Sequence, residues 1–135
     1  MSTSEAIAGP AAEPLARPLV DVAALQAEVA HFAREREWER FHSPKNLAMA
    51  LAGEVGELLE LFQWRTEAAS YDEAREPASA RAVRDELADV LIYLVRLADR
   101  LRVDLDEACR CKIAANAGKY PIERARGRAD KYDAL

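Results

Sequence analysis

The segment 46–64, NLAMALAGEVGELLELFQW, places a carboxylate where an amphipathic helix needs an apolar side chain. At about 100° per residue, Leu47, Ala50, Leu51, Leu58 and Leu61 all fall within about 60° of Glu54. Glu57 lies about 60° to one side, bordering the stripe, and Glu60 roughly another 60° beyond, towards solvent. The segment 81–101 repeats the arrangement. Val83, Val90, Tyr93, Leu97 and Leu101 lie within about 60° of Glu86, and Asp89 borders that stripe as Glu57 borders the first, while Asp85 is further round. A single glutamate beside an apolar stripe ordinarily bends out to water. Two helices with an acid pair at i, i+3 in the same relation to their apolar faces make a different case. Four carboxylates in one crevice repel each other and resist desolvation, at a cost of several kcal/mol unless compensated. A hard divalent cation compensates both effects, and an all-oxygen ligand set suits Mg²⁺, or Mn²⁺ as a substitute.

The rest of the chain is compatible with one helical domain. Its 135 residues are half hydrophobic and about a third charged, and Ala, Leu, Glu and Arg dominate over Gly, Pro and aromatics. The expected fold class is all-α, an antiparallel bundle of four to five helices completed by oligomerisation. Residues 1–18 lack periodicity and are expected to form a loose tail, 19–120 the helical domain, and 121–135 a charged C-terminal tail. The first helix follows Asp21 and ends near Trp38, with Val22, Leu25, Val29 and Phe32 as its stripe. Ser43 and Pro44 start the second helix, which runs to about Trp64. A polar connection over 66–80 precedes the third helix, expected over 81–101. The fourth starts after Asp104, with Glu107 completing a capping-box-like pair, and stops at Gly118 and Pro121.

Several functions are disfavoured. A net charge of −5 argues against a nucleic-acid surface. No apolar run approaches the roughly 20 residues of a membrane span, and the N-terminus has no secretory pattern. Cys109 and Cys111, about 200° apart on a helix, suit neither a disulfide nor a shared metal. A cytoplasmic location is the expectation. Di-iron bundles need a His three residues after a Glu on the acid helices, and the two histidines, His31 and His42, lie elsewhere. Mg²⁺ chemistry with a phosphate ester or anhydride fits better.

Two further groups bear on that chemistry. Lys112, Asn116 and Lys119, at i, i+4 and i+7, continue the stripe of Leu105 and Cys109 and are expected to face inward or towards a cleft, as phosphate ligands. Trp38, Phe41 and His42 precede the first acid helix, Trp64 ends it, and Tyr93 follows Asp89 by one turn. Their clustering is compatible with a slot that stacks a nucleobase.

The segments WERFHSPKNLAMALAGEVGELLELFQW, DELADVLIYLVRLADRLRVDLDEA and KIAANAGKYP, with the tail DKYDAL, resemble the all-α nucleoside triphosphate pyrophosphohydrolases of the MazG superfamily, in particular the dCTP pyrophosphatase branch. The resemblance covers roughly residues 25–132. It implies a homo-oligomer, dimer or tetramer, with the active site near a subunit interface. It also implies Glu54, Glu57, Glu86 and Asp89 as Mg²⁺ ligands, Trp38, Phe41, His42, Trp64 and Tyr93 as the nucleoside pocket, and Lys112 and Asn116 as phosphate contacts. The position before the first ligand is Gly53 rather than a second acid. A substrate-contacting histidine of that branch falls at Val29, with His31 two residues later on a different helical face. The expected reaction is Mg²⁺-dependent hydrolysis of a dNTP, dCTP or a modified dCTP, to dNMP and pyrophosphate. Glu54 or Glu57 would orient or deprotonate the water, and Lys112 would stabilise the leaving pyrophosphate. Phosphoribosyl-ATP hydrolysis and a non-catalytic nucleotide-binding oligomer are the rival expectations.

Overall fold

The structure, a computed structural model, describes residues 21–135; the tail expected over 1–18 lies outside the described residues. Asp21 caps the first helix through its side chain, which accepts from the Ala24 amide at 3.1 Å, and α1 runs Val22–Glu35. It stops short of Trp38 because Glu37 turns left-handed, at φ 55°. The Glu37 amide then donates to the Arg34 carbonyl and the Trp38 amide to the Ala33 carbonyl, at 3.0 and 2.9 Å. These are the two bonds of a Schellman motif, and the apolar contact that usually accompanies it is Phe32 against Trp38, edge-to-face at 5.8 Å. The helix stop therefore fixes where Trp38 sits.

A 3₁₀ turn over Glu39–Phe41 leads to α2, Pro44–Glu60, whose cap Ser43 accepts from the Asn46 amide at 3.2 Å. The polar connection is more structured than its composition suggests. Thr66 caps a single-turn helix, α3 (Glu67–Ser70), by accepting from the Ala69 amide. The long helix α4 begins at Pro77 rather than at Arg81 and runs to Leu101. Local bonds extend it: Glu73 is buried and pairs with Arg65, while the Ser79 hydroxyl donates to the Glu73 carbonyl at 2.7 Å. Helix α5 spans Leu105–Lys119 behind the cap Asp104, and α6 is a short turn over Ile122–Ala125. No strand occurs among the described residues, so the all-α expectation holds, in four longer helices and two short ones.

Helix α4 is the centre of the fold and packs extensively against α2 and, less so, against α1. Leu47 of α2 and Val83, Val95 and Ala98 of α4 are buried, with Ala33 of α1. Fully burying a Leu or Val side chain stabilises by about 1.5–3 kcal/mol, so this small core carries much of the cohesion. The stripe around Glu54 faces inward as its periodicity requires. Elsewhere apolar surface is left open: Met49, Val55 and Leu59 on α2, Leu87, Leu91 and Leu94 on α4, and Ile113 on α5 are exposed. No described helix is long and apolar enough to cross a membrane.

Helix α4 ends on Arg102 at φ 56°, left-handed, and the Val103 amide closes onto the Ala98 carbonyl at 2.9 Å. A side chain costs about 1 kcal/mol in that region and glycine does not. Arg102→Gly is therefore expected to raise stability by about 1 kcal/mol, visible as a higher urea midpoint at fixed protein concentration. An unchanged or lower midpoint would show that the arginine side chain contributes more than its backbone strain costs.

Candidate active site

The apolar packing of α2 on α4 brings their carboxylates together. Glu54, Glu57 and Glu86 each offer an oxygen within 4.8 Å of the others. Glu54 and Glu86 are half-buried, and Glu57 is exposed. The Glu86 Oε2 atom is buried and receives no hydrogen bond. Burial, then the charges of Glu57 and Asp89, push the Glu54 carboxyl above its ordinary value. Burial also leads for Glu86, followed by Glu57, Glu54 and Asp89, so it too holds its proton more tightly than usual. Every charge acting on these two groups is another carboxylate.

That donor set fits a hard divalent cation. All ligand atoms are carboxylate oxygens, one of them lacks any donor, and octahedral Mg²⁺ accepts oxygens up to about 4.2 Å apart, within a small adjustment of the observed spread. Glu54, Glu57 and Glu86 are the residues that could hold it. Asp89 stands apart from the three-oxygen group but close enough for its charge to act on both Glu54 and Glu86.

Asp89 also lines a cavity of about 500 Å³ between α1 and α4, so it borders both features. Trp38, His42 and Tyr93 line this cavity, as does Arg96. Trp38 meets His42 edge-to-face at 6.4 Å, continuing the row begun by Phe32. Val29 and His31 both face the cavity, despite their separation around α1, because it wraps the edge of that helix. The His31 imidazole sits 3.3 Å from Glu35.

Other expected residues are not gathered here. Phe41 is exposed beneath the Arg40 guanidinium, and Trp64 is 89% exposed beyond the end of α2. Neither lines the cavity. Lys112 and Asn116, expected to face inward or towards a cleft, are both exposed in the single chain, where α5 has no extensive packing partner among the described residues. Sequence reasoning missed Arg96. The signal was present, since an arginine inside LIYLVRLA is the same anomaly as an acid inside an apolar stripe.

The raised carboxyls set a pH dependence. Without a divalent cation, the folded chain binds more protons than the unfolded chain between the ordinary glutamate value of 4.5 and the raised values. Stability is therefore expected to rise as pH falls from neutral through that window, with the gain complete below 4.5. Added Mg²⁺ should raise Tm at pH 7. Glu86→Gln should raise the cation-free Tm and blunt both responses in a thermal melt. A variant that keeps the full Mg²⁺ response would remove Glu86 from the ligand set.

The chain is 50% identical over 117 residues to dCTP pyrophosphatase 1 of Bos taurus, covering 87% of this chain and 68% of that protein. It is 48% identical over 130 residues to dCTP pyrophosphatase 1 of Rattus norvegicus, covering 96% and 75% respectively. Among solved structures it is similar to a pyrophosphatase from Archaeoglobus fulgidus, with a TM-score of 0.69, 35% identity, and coverage of 80% of this chain and 99% of that one. Residues 50–135, from within the first acid helix to the C-terminus, match the MazG-like family, and the chain belongs to it.

Proposed function

We propose that this protein is a divalent-cation-dependent nucleoside triphosphate pyrophosphohydrolase, converting dCTP or a modified dCTP to dNMP and pyrophosphate. The observation that carries the reading is the adjacency of the two features through Asp89: a carboxylate cluster suited to a cation, and an aromatic cavity sized for a base. The dCTP pyrophosphatase relatives, identical at about half of the aligned positions, support the same substrate class.

In this reading Glu54, Glu57, Glu86 and Asp89 would hold Mg²⁺, or Mn²⁺ in its place, and the bound ion would supply charge neutralisation of the triphosphate. Trp38 and Tyr93 offer ring faces to the base, and His42 a hydrogen-bonding edge. Glu54 or Glu57 orients and deprotonates the attacking water. Attack at the α-phosphorus breaks the bond to the β-phosphate, and Lys112 and Asn116 receive the leaving pyrophosphate. These two residues and Trp64 are exposed in the single chain, as are the apolar faces of α2 and α4. Assembly into a dimer or tetramer would cover those faces and complete the site. The physiological task is housecleaning of the nucleotide pool in the cytoplasm.

The test is a panel of canonical and 5-substituted nucleotides with phosphoribosyl-ATP, assayed with Mg²⁺ for pyrophosphate against orthophosphate. Pyrophosphate from dCTP is expected, and predominant orthophosphate would contradict attack at the α-phosphorus. Glu57→Gln and Glu86→Gln should each lose at least about 100-fold in turnover with helical content unchanged. In sedimentation, Leu59→Glu should shift the assembly towards monomer; an unaltered coefficient would exclude that face of α2 from the interface.

A further inference from the structure

Arg96 is 3% exposed, on the side of α4 that meets the turn before α2. Its Nε–H donates to His42 Nδ1 at 3.1 Å, and Nη1 donates to Asp99 Oδ2 at 3.0 Å. One turn later Arg100 Nε–H donates to the His42 carbonyl at 3.1 Å. Two arginines of one helix thus grip both the ring and the backbone of a single histidine.

The chemistry of the contact fixes the ring. A guanidinium is always protonated and has no acceptor, so Nδ1 must present a lone pair. The single proton of the neutral imidazole then sits on Nε2. A second proton could enter at Nδ1 only by breaking the Arg96 bond. We propose that Arg96 is a positioning residue that locks His42 in the Nε2–H form, so that the ring presents only a donor to the base in the cavity that both residues line.

Three observations agree. Burial, then the charges of Arg96 and Arg100, lower the His42 proton affinity against the opposing pull of Glu39, which favours the neutral ring. Trp38 braces the ring edge-to-face. Asp99 holds Nη1 at 3.0 Å, which fixes the guanidinium that faces the ring. A ring nitrogen that can only donate suits the acceptor edge of a cytosine-type ring, whose N3 has a lone pair. It opposes a uracil-type ring, whose N3 carries hydrogen, because one donor would be left facing another.

The inference rests on the cavity being the base site, and its test separates the two. The His42 ring nitrogens are read by ¹⁵N NMR in the intact protein, alongside kcat/KM for dCTP and dUTP. The wild type should show an unprotonated Nδ1 and protonated Nε2 at neutral pH. Arg96→Gln, whose amide can donate or accept, should give mixed tautomers and lower the dCTP-to-dUTP preference about tenfold, mainly through KM. Arg96→Lys, again donor-only, should restore the wild-type nitrogen pattern and most of the preference. A merely structural role would lower both substrates alike and leave the nitrogens unchanged. A proton on Nδ1 in the wild type overturns the proposal whether or not the variants fold, as does an unaltered preference in folded Arg96→Gln. Correct tautomers without hydrolysis of any nucleotide would instead defeat the functional reading and leave the lock standing.

Discussion

The structure depends on apolar packing that forces like charges together. Leu47 and Val83 hold α2 against α4, and the same contact brings Glu54 and Glu57 up to Glu86. Each carboxylate would be better solvated alone, and the raised proton affinities of Glu54 and Glu86 record that tension. The packing outweighs it because the energy is spread over the whole helix pair, while the repulsion is confined to a few oxygens. A fold that concentrates unrelieved negative charge in this way is prepared for a cation.

Helix ends matter as much as helix faces. The left-handed turn at Glu37 stops α1 and carries Phe32, Trp38 and His42 into one row of rings. Arg96 and Arg100 then tie the end of that row to α4. The aromatic wall of the cavity is consequently built on a turn, but one secured at both ends, by a Schellman closure and by guanidinium bonds from α4.

Much of this was legible in the sequence. The period of the apolar residues gave the helices and the inward position of Glu54 and Glu86, because burial and repulsion leave a repeating pattern in one dimension. Ser43–Pro44 and Asp104 marked helix starts through local capping chemistry. The early start of α4 escaped because it depends on Arg65 and Glu73 meeting Ser79, contacts that no helical period encodes. The Arg96–His42 bond joins residues 54 apart in sequence, and neither residue type signals the other. Lys112 and Asn116 lie on an α5 face that is exposed in the single chain, so the stripe's period identifies the face but not what covers it.

Helix α4 alone carries Glu86, Asp89, Tyr93 and Arg96. At about 1.5 Å per residue, the seven residues from Glu86 to Tyr93 span roughly 10 Å and the ten to Arg96 roughly 15 Å. These distances lie along a rigid rod rather than across a hinge. The helix therefore works as a ruler: a ligand that engages the carboxylate end and the ring-lined end together must have the matching length. In the proposed function, a free base or a bare polyphosphate would satisfy only one mark on it, so size would screen candidates before any hydrogen bond does.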